Sequence, residues 1–262
     1  MDTGLAGRTV LVTGASGGIG QEIARAFAAE KANVVVHFNR NQEQAENLID
    51  ELGEPATLAI QADLTNKDSI NSMFDRIAER FSGVDHLVCN AGVWPPGFVP
   101  VAEMTIDQWK ETIDVDLTSV FLSCRRFLQQ VKHSALVDPS IVLIGSTAGV
   151  FGEAGHADYA SAKSGMIGGL MNTLKNEIVT LAGQGRVNAV SPGWVLTPMT
   201  EKFANDQSAL EQALSTIAMK KVAAPQDIAN AVVFLSSPRV AGHISGQNLV
   251  VSGGMEGRLL HP

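Results

Sequence analysis

Short apolar runs recur along the chain and are separated by longer amphipathic segments with helical periodicity. Continuous apolar runs of this kind are typical of strands buried on both faces of a parallel sheet. They predict strands at residues 9–12, 34–38, 57–61, 86–89, 141–144, 186–190 and 248–251. The segments between them predict helices at residues 18–30, 42–52, 67–81, 106–131, 157–181 and 225–235.

This alternation of strands and helices predicts right-handed βαβ crossovers and a doubly wound α/β fold. The chain of 262 residues has no linker, repeat or low-complexity tract. We therefore expect a single domain over residues 1–262, with one seven-stranded parallel sheet flanked by helices. The alternation is interrupted at residues 192–222, a stretch long enough to form a flap over a site.

Composition narrows the class of protein. Hydrophobic residues make up 45% of the chain and charged residues 18%, which is typical of a globular protein with a sizeable core. The formal charge of −8 disfavours nucleic acid or an anionic membrane surface as the main partner. No apolar run approaches the roughly 20 residues that cross a bilayer, and the first residues lack the pattern of a secretory signal. We expect a cytoplasmic protein that binds neither membrane nor nucleic acid.

Cys89 and Cys124 do not have the spacing of metal ligands or of a disulfide framework. Both fall in apolar segments, which predicts buried, unreactive thiols rather than redox chemistry. We expect no metal site.

A glycine-rich turn follows the first predicted strand and opens the first predicted helix. Taken alone, its Gly-x-x-x-Gly-x-Gly spacing also fits a purely structural turn. With this strand and helix on either side, we interpret it as binding the phosphates of a dinucleotide, because a helix N-terminus offers N–H groups and a positive dipole end. The residues expected to contribute are Gly14, Ser16, Gly17, Gly18, Ile19 and Gly20.

Tyr159 and Lys163 lie four residues apart in a predicted helix, so their side chains share one face. A phenol has a pKa of about 10 and transfers protons poorly at neutral pH unless a nearby cation favours the phenolate. Ser146 lies thirteen residues before Tyr159 and follows a predicted strand. An exposed helix pair and an ordinary turn serine are the structural alternative. Together with the glycine turn, these residues favour a site that moves a proton and a hydride.

In order and spacing, these motifs resemble the short-chain dehydrogenase/reductase family over residues 13–254. The resemblance implies a Rossmann-fold enzyme that interconverts a carbonyl and a secondary alcohol with a nicotinamide cofactor. It implies that Tyr159 transfers the proton and that Ser146 binds the substrate oxygen. Lys163 is expected to hold the nicotinamide ribose and to lower the pKa of Tyr159.

The same resemblance assigns further cofactor contacts. Asp63 and Leu64 are expected beside the adenine, and Asn90, Ala91 and Gly92 along its ribose. The nicotinamide end is expected to contact Pro192, Gly193, Val195 and Thr197. Asn90 and the Pro-Gly pair are also ordinary turn residues, so a structural role is the alternative for them.

Asp116 departs from the family pattern, which has Asn at this position, where it holds a water that relays protons to the lysine. Aspartate accepts hydrogen bonds but lacks the amide donor. A carboxylate near Lys163 would oppose the effect of the ammonium on Tyr159. The alternatives are that Asp116 is protonated or points away.

The end of the second strand bears on cofactor choice. An acid there binds the ribose 2′-hydroxyl of NAD, whereas a basic residue suits the 2′-phosphate of NADP. Here Asn39 and Arg40 follow the strand, and no acid occurs before Glu43. This favours NADP(H). NAD(H) is the alternative, because Arg40 also suits a solvated loop and Gly17 occupies a position where many NADP-using relatives are basic.

The substrate is expected to be a small carbonyl compound or alcohol. Pocket walls are predicted at residues 93–96 and 148–152, together with Trp194 and Met199. The resemblance points first to 3-oxoacyl-acyl-carrier-protein reductases, whose substrate is a carrier-linked acyl chain. Arg125, Arg126 and Lys132 would then form a docking patch for the acidic carrier. A sugar, polyol or steroid-type alcohol dehydrogenase is the alternative, followed by a non-catalytic NADP(H)-binding protein.

Small residues at positions 161, 165 and 169 recur at four-residue intervals along one predicted helix. Such a face permits close approach of a second helix. Together with the resemblance, it predicts a homotetramer, with a dimer as the alternative.

Overall fold

The computed structural model describes residues 1–53, 57–198, 200 and 207–255. Seven strands form one parallel sheet in the order β3-β2-β1-β4-β5-β6-β7. Their bounds are β1 (Thr9–Val12), β2 (Asn33–Phe38), β3 (Thr57–Gln61), β4 (His86–Cys89), β5 (Ser140–Ile144), β6 (Arg186–Pro192) and β7 (Asn248–Val251). The predicted doubly wound, seven-stranded sheet is confirmed.

Helices cover both faces of this sheet. Those described are α1 (Gly18–Ala29), α2 (Gln42–Leu52), α3 (Lys67–Phe81), α4 (Ile106–Ile113), α5 (Ser119–Lys132), α6 (Thr147–Phe151), α7 (Ala157–Ser164), α8 (Met171–Leu181), α9 (Gln207–Ser215) and α10 (Pro225–Ser236). The short α6 was not predicted, and α9 lies within the predicted flap. The other departures are inside two long helices.

Each of the two longest predicted helices contains a wider, π-helical turn. Asp114–Thr118 separates α4 from α5, and Gly165–Leu170 separates α7 from α8. Such turns are frequent at functional sites, because the extra residue changes where nearby side chains point. The first contains Asp116, and the second begins two residues after Lys163.

Successive residues of a strand point to opposite faces of the sheet and pack into two separate hydrophobic cores. In β1, Leu11 packs into the core on one face, whereas Val10 and Val12 pack into the core on the other. Every residue of β1 is therefore buried, which explains the continuous apolar run. The winding reverses between β1 and β4, and ligands of open α/β sheets bind at the carboxyl ends of strands at such a point.

Cys89 and Cys124 are free, buried thiols whose Sγ atoms lie 3.8 Å apart. The hydrogen bond with Cys89 and burial raise the pKa of the Cys124 thiol well above its usual range. The thiol therefore stays protonated and weakly nucleophilic.

Across the described ranges, no helix is both long and apolar enough to span a membrane. Within the same ranges, no three His, Cys, Asp or Glu side chains are grouped so that they could hold a metal ion.

Arg186 holds β6 against the end of α10. Its side chain is buried, and its guanidinium donates hydrogen bonds to the carbonyl oxygens of Leu235, Ser236 and Ala241. This contact positions the strand that leads to Pro192 and Gly193.

Replacing Arg186 with Met should lower the free energy of unfolding, because buried carbonyl groups lose their donors. We expect a loss of about 2–4 kcal/mol in a chemical denaturation experiment. Arg125→Met removes the same charge from an exposed site on α5 and should change stability by less than about 0.5 kcal/mol. Equal losses in the two variants would contradict the anchoring role of Arg186.

Candidate active site

A cleft of about 820 Å³ opens at the carboxyl ends of the strands, a size suited to a small ligand. The cleft is lined by residues of the glycine turn, of the ends of β2, β4, β5 and β6, and of α7. The predicted site residues that line it are those at positions 14, 16–20, 39, 40, 90–92, 146, 159, 163, 192, 193, 195 and 197. Asp63, Leu64 and Asp116 are not among the residues that line it.

The turn between β1 and α1 depends on two glycines. Gly14 has a φ of +63°, and a Cβ at this position would lie 2.8 Å from the Cα of Ala91. A Cβ at Gly20 would lie 2.4 Å from the Gly14 carbonyl oxygen. No side chain caps the N-terminus of α1 at Gly17. The N–H groups of its first turn are thus suited to bind the phosphates of a dinucleotide.

His37, at the end of β2, holds this turn from one side. The Gly14 N–H donates to His37 Nδ1 at 3.0 Å, so Nε2 carries the proton and donates to the Ala62 carbonyl oxygen, also at 3.0 Å. Burial lowers the pKa of His37 to about 4, which keeps the ring neutral. No sequence motif marks His37, because a histidine within an apolar strand usually has only a packing role.

Asn90 holds the turn from the other side. Its Nδ2 donates to the carbonyl oxygens of Thr13 and Gly14, at 2.9 and 3.1 Å. The Thr13 hydroxyl in turn accepts hydrogen bonds from the backbone N–H groups of Asn90 and Ala91. The Asn90 amide is thus engaged by the backbone, and the side chain joins the end of β4 to the glycine turn.

Ser146, Tyr159 and Lys163 meet at the end of β5. Ser146 caps α6, and its hydroxyl lies close enough to that of Tyr159 to lower the pKa of the phenol. Lys163 is buried, and its Nζ donates to the Ile144 carbonyl oxygen at 3.1 Å. The same Nζ lies 5.6 Å from the centre of the Tyr159 ring. The structure thus brings together the three residues on which the sequence prediction rests.

The pKa of Tyr159 lies well above its ordinary value, and the main cause is burial of the phenol. The nearby Ser146 hydroxyl lowers this pKa, whereas the charges of Asp116 and Glu153 raise it. Burial therefore sets the net direction of the shift, and the contribution of Lys163 to the acidity of this phenol stays a prediction. The ring carries its proton at neutral pH, which suits a proton donor.

Asp116 is completely buried behind the cleft. Its Oδ1 accepts a hydrogen bond from the Val93 N–H at 2.8 Å, and its Oδ2 has no hydrogen-bond partner among the described residues. A Cβ on Gly92 would lie 3.1 Å from Asp116 Oδ1 and 3.2 Å from Lys163 Nζ, so carboxylate and ammonium border the same point. Burial raises the pKa of Asp116, and the Lys163 charge opposes this. The carboxylate therefore does not point away from Lys163.

The two residues predicted beside the adenine, Asp63 and Leu64, do not line the cleft. The Leu64 side chain packs into a hydrophobic core, so only its backbone is available to a ligand. Asp63 is exposed, and its Oδ1 accepts hydrogen bonds from the backbone and hydroxyl of Thr65. These bonds, with a smaller contribution from Arg40, lower the pKa of Asp63. The placement of Asp63 and Leu64 beside the adenine stays a prediction.

The other end of the cleft is mainly apolar. Of the predicted pocket walls, the lining residues are Val93, Trp94, Ala148, Phe151, Gly152 and Trp194. Met199 lies outside the described residues. Glu153 also lines the cleft, one residue beyond the predicted wall. Only its place between Ser146 and Tyr159 could have drawn attention to it.

Comparison with known proteins agrees with this geometry. A family model described as Enoyl-(Acyl carrier protein) reductase matches residues 14–256. The chain belongs to the short-chain dehydrogenase/reductase family. It is 37% identical over 256 residues to 3beta-hydroxysteroid dehydrogenase 1 of Eggerthella lenta, covering 96% of this chain and 94% of that protein. It is 35% identical over 251 residues to the 3-oxoacyl-[acyl-carrier-protein] reductase FabG of Staphylococcus epidermidis, covering 95% of this chain and 98% of that protein.

A solved structure, a short-chain dehydrogenase/reductase named glucose/ribitol dehydrogenase from Brucella melitensis, superimposes with a TM-score of 0.87. It is 33% identical, and the match covers 98% of this chain and 99% of that one. The protein is therefore a short-chain dehydrogenase/reductase that acts on CH–OH groups, and family membership implies a nicotinamide cofactor.

Asp116→Asn should retain activity and move the pH–rate profile toward lower pH. The negative charge of Asp116 raises the pKa of Tyr159, so its removal allows the phenol to ionise at lower pH. The measurement is kcat/KM against pH in both reaction directions. Asp114→Asn, an exposed position on the same π-helical turn, should leave the profile in place. An unshifted profile in Asp116→Asn would count against its electrostatic role.

Proposed function

We propose that this protein is an NADP(H)-dependent ketoreductase in which Ser146, Tyr159 and Lys163 are the catalytic residues. The observation that carries the proposal is that Ser146, Tyr159 and Lys163 lie together in the same cleft as the glycine turn. Two hydroxyls so placed are suited to bind one carbonyl oxygen.

In carbonyl reduction, Tyr159 donates its phenolic proton to the substrate oxygen. The Ser146 hydroxyl donates a hydrogen bond to the same oxygen and stabilises its developing charge. When bound, the nicotinamide supplies the hydride. The Lys163 ammonium, fixed by the Ile144 carbonyl, would hold the nicotinamide ribose. Oxidation of an alcohol reverses these steps and needs the tyrosinate as base.

Arg40 supports NADP(H) as the cofactor. It lines the cleft beside Asn39 and Asn41, and no carboxylate lies at this end of β2 among the described lining residues. A guanidinium binds phosphate with paired hydrogen bonds. Asp63 lies close enough for the Arg40 charge to lower its pKa, but its Oδ1 is already bonded to Thr65. NAD(H) is the alternative that a cofactor comparison tests.

Two substrate classes follow from the relatives. A 3-oxoacyl chain is the first, although the predicted carrier-docking patch is reduced. Arg126 forms an ion pair with Asp75 at 2.7 Å and lies over the Phe74 ring, which leaves Arg125 and Lys132. The apolar walls of the cleft favour the second class, an alcohol with an extended apolar skeleton, as the name of the Eggerthella lenta relative also suggests.

We also propose the homotetramer, with a dimer as the alternative. Ser161 and Gly169 are exposed, and a Cβ on Gly169 would meet no atom within 4 Å. The helical face is therefore open to a second subunit.

Tyr159→Phe should lower kcat for ketone reduction by about 100- to 10,000-fold, because the proton donor is lost. The assay follows NADPH consumption with a panel of 3-oxoacyl thioesters, sugars, steroid ketones and simple ketones. An enoyl thioester, whose double bond needs no alcohol chemistry, tests the reaction that the family model names. NADPH binding, followed by nucleotide fluorescence, should persist in the variant. Substantial remaining activity would overturn the catalytic role, and a wild type that binds NADPH without reducing any ketone would indicate a non-catalytic binding protein.

Arg40→Ala should raise KM for NADPH by about 10- to 100-fold, the loss expected for hydrogen bonds to a charged group. KM for NADH should change little, since NADH lacks the 2′-phosphate. Arg76→Ala, at an exposed position on α3, is the matched control and should affect neither cofactor. An equal effect of Arg40→Ala on both cofactors would contradict a phosphate contact.

A further inference from the structure

Three residues at the substrate end of the cleft form a cluster that the proposed mechanism does not use. The Trp94 and His156 rings are stacked, with centroids 4.8 Å apart and an interplanar angle of 27°. His156 is buried, and its Nε2 lies 3.9 Å from Glu153 Oε1. Burial raises the pKa of Glu153, whereas the His156 charge and the nearby Trp94 indole N–H lower it. We call these residues the Glu153 cluster.

The cluster adjoins the reacting groups. Trp94 and Glu153 line the same cleft as Ser146 and Tyr159. Glu153 is also close enough for its charge to raise the pKa of the Tyr159 phenol. A substrate whose carbonyl oxygen meets Tyr159 therefore occupies the cleft that this carboxylate also lines.

Glu153 has acceptor capacity to spare. A carboxylate offers about four lone-pair positions, and the Trp94 N–H can occupy only one of them. The separation of 3.9 Å from His156 is too long for a hydrogen bond. The Glu153 side chain is 30% exposed, so a ligand in the cleft can reach the remaining positions.

We propose that Glu153 determines substrate specificity: it selects uncharged carbonyl compounds that carry a hydroxyl group near the carbonyl, and it rejects those that carry a carboxylate or phosphate there. A hydroxyl donates to the unused acceptor positions. An anion meets a like charge in a cleft with largely apolar walls, where repulsion is weakly screened. The inference rests on the proposed ketoreductase function, and it favours the sugar or polyol alternative over substrates that carry an acidic group near the carbonyl.

The test uses three ketones with the same four-carbon skeleton: 4-hydroxy-2-butanone, 2-butanone and the anion acetoacetate. For the wild type, we expect kcat/KM with NADPH to fall in that order. In Glu153→Gln, which keeps a side-chain acceptor for Trp94 but removes the charge, kcat/KM for acetoacetate should rise by about 10-fold or more, the range of a single partly screened charge pair. That for the hydroxyketone should fall.

Two further variants separate specificity from structure. Glu79→Gln removes one charge from the exposed face of α3 and should leave the ratios between the substrates unchanged, which excludes an effect of net charge. Trp94→Phe removes the indole donor but keeps the Glu153 charge, so discrimination against acetoacetate should persist. If Glu153 merely fixed Trp94, both cluster variants would lower activity on all three ketones in parallel.

Each outcome is decisive. A wild type that reduces 2-butanone or larger ketones but not the hydroxyketone overturns the inference, as does an unchanged substrate ratio in Glu153→Gln. A wild type that reduces no ketone in the wider panel instead removes the proposed function itself. Thermal melting of each variant confirms that the fold is retained.

Discussion

The cleft depends on hydrogen bonds between the end of β4 and the turn that follows β1. The Asn90 amide donates to the backbone of Thr13 and Gly14, and the Thr13 hydroxyl accepts two backbone N–H groups in return. The winding of the sheet reverses between these two strands, so their connections leave toward opposite faces and open a gap. These bonds, together with the hydrogen bond from the Gly14 N–H to His37 on the far side of the turn, fix the position of the glycine turn at the base of that gap. The other residues that line the cleft are arranged around this turn.

The electrostatics of the site depend on the charged groups that different segments of the chain place around the Lys163 ammonium. Lys163 faces the buried carboxylate of Asp116, and Asp158 raises the pKa of that carboxyl further. Asp158 is itself satisfied, since it accepts hydrogen bonds from Thr112, Gln108 and the Tyr159 N–H. Burial of the phenol, together with the charges of Asp116 and Glu153, raises the pKa of Tyr159, so the phenol keeps its proton. Such a phenol is poised for carbonyl reduction, whereas oxidation requires that it first lose the proton.

The sequence pattern predicts the sheet well, because a strand buried on both faces leaves a run of apolar residues that is hard to mistake. It also finds the glycine turn, Ser146, Tyr159 and Lys163, whose spacing is imposed by local geometry. It misses the two π-helical turns, because one extra residue in a turn barely disturbs helical periodicity. It does not give the net direction of the Tyr159 pKa shift, because that value sums burial with charges from Asp116 and Glu153, which fold in from other segments.

The difference between regular elements and irregular connections also separates the proposed catalytic residues from those proposed to select the substrate. The Ser146 and Tyr159 hydroxyls are held by the end of β5 and by α7, so their positions follow from regular elements. Trp94 and Glu153 lie in the connections after β4 and between α6 and α7, which no periodicity constrains. Contact between these two irregular segments can therefore change the charge and shape of the substrate wall without moving Ser146 or Tyr159. Members of a family that share one proton-transfer mechanism can therefore accept different substrates. Similar catalytic motifs in two related sequences do not imply that both proteins act on the same substrate.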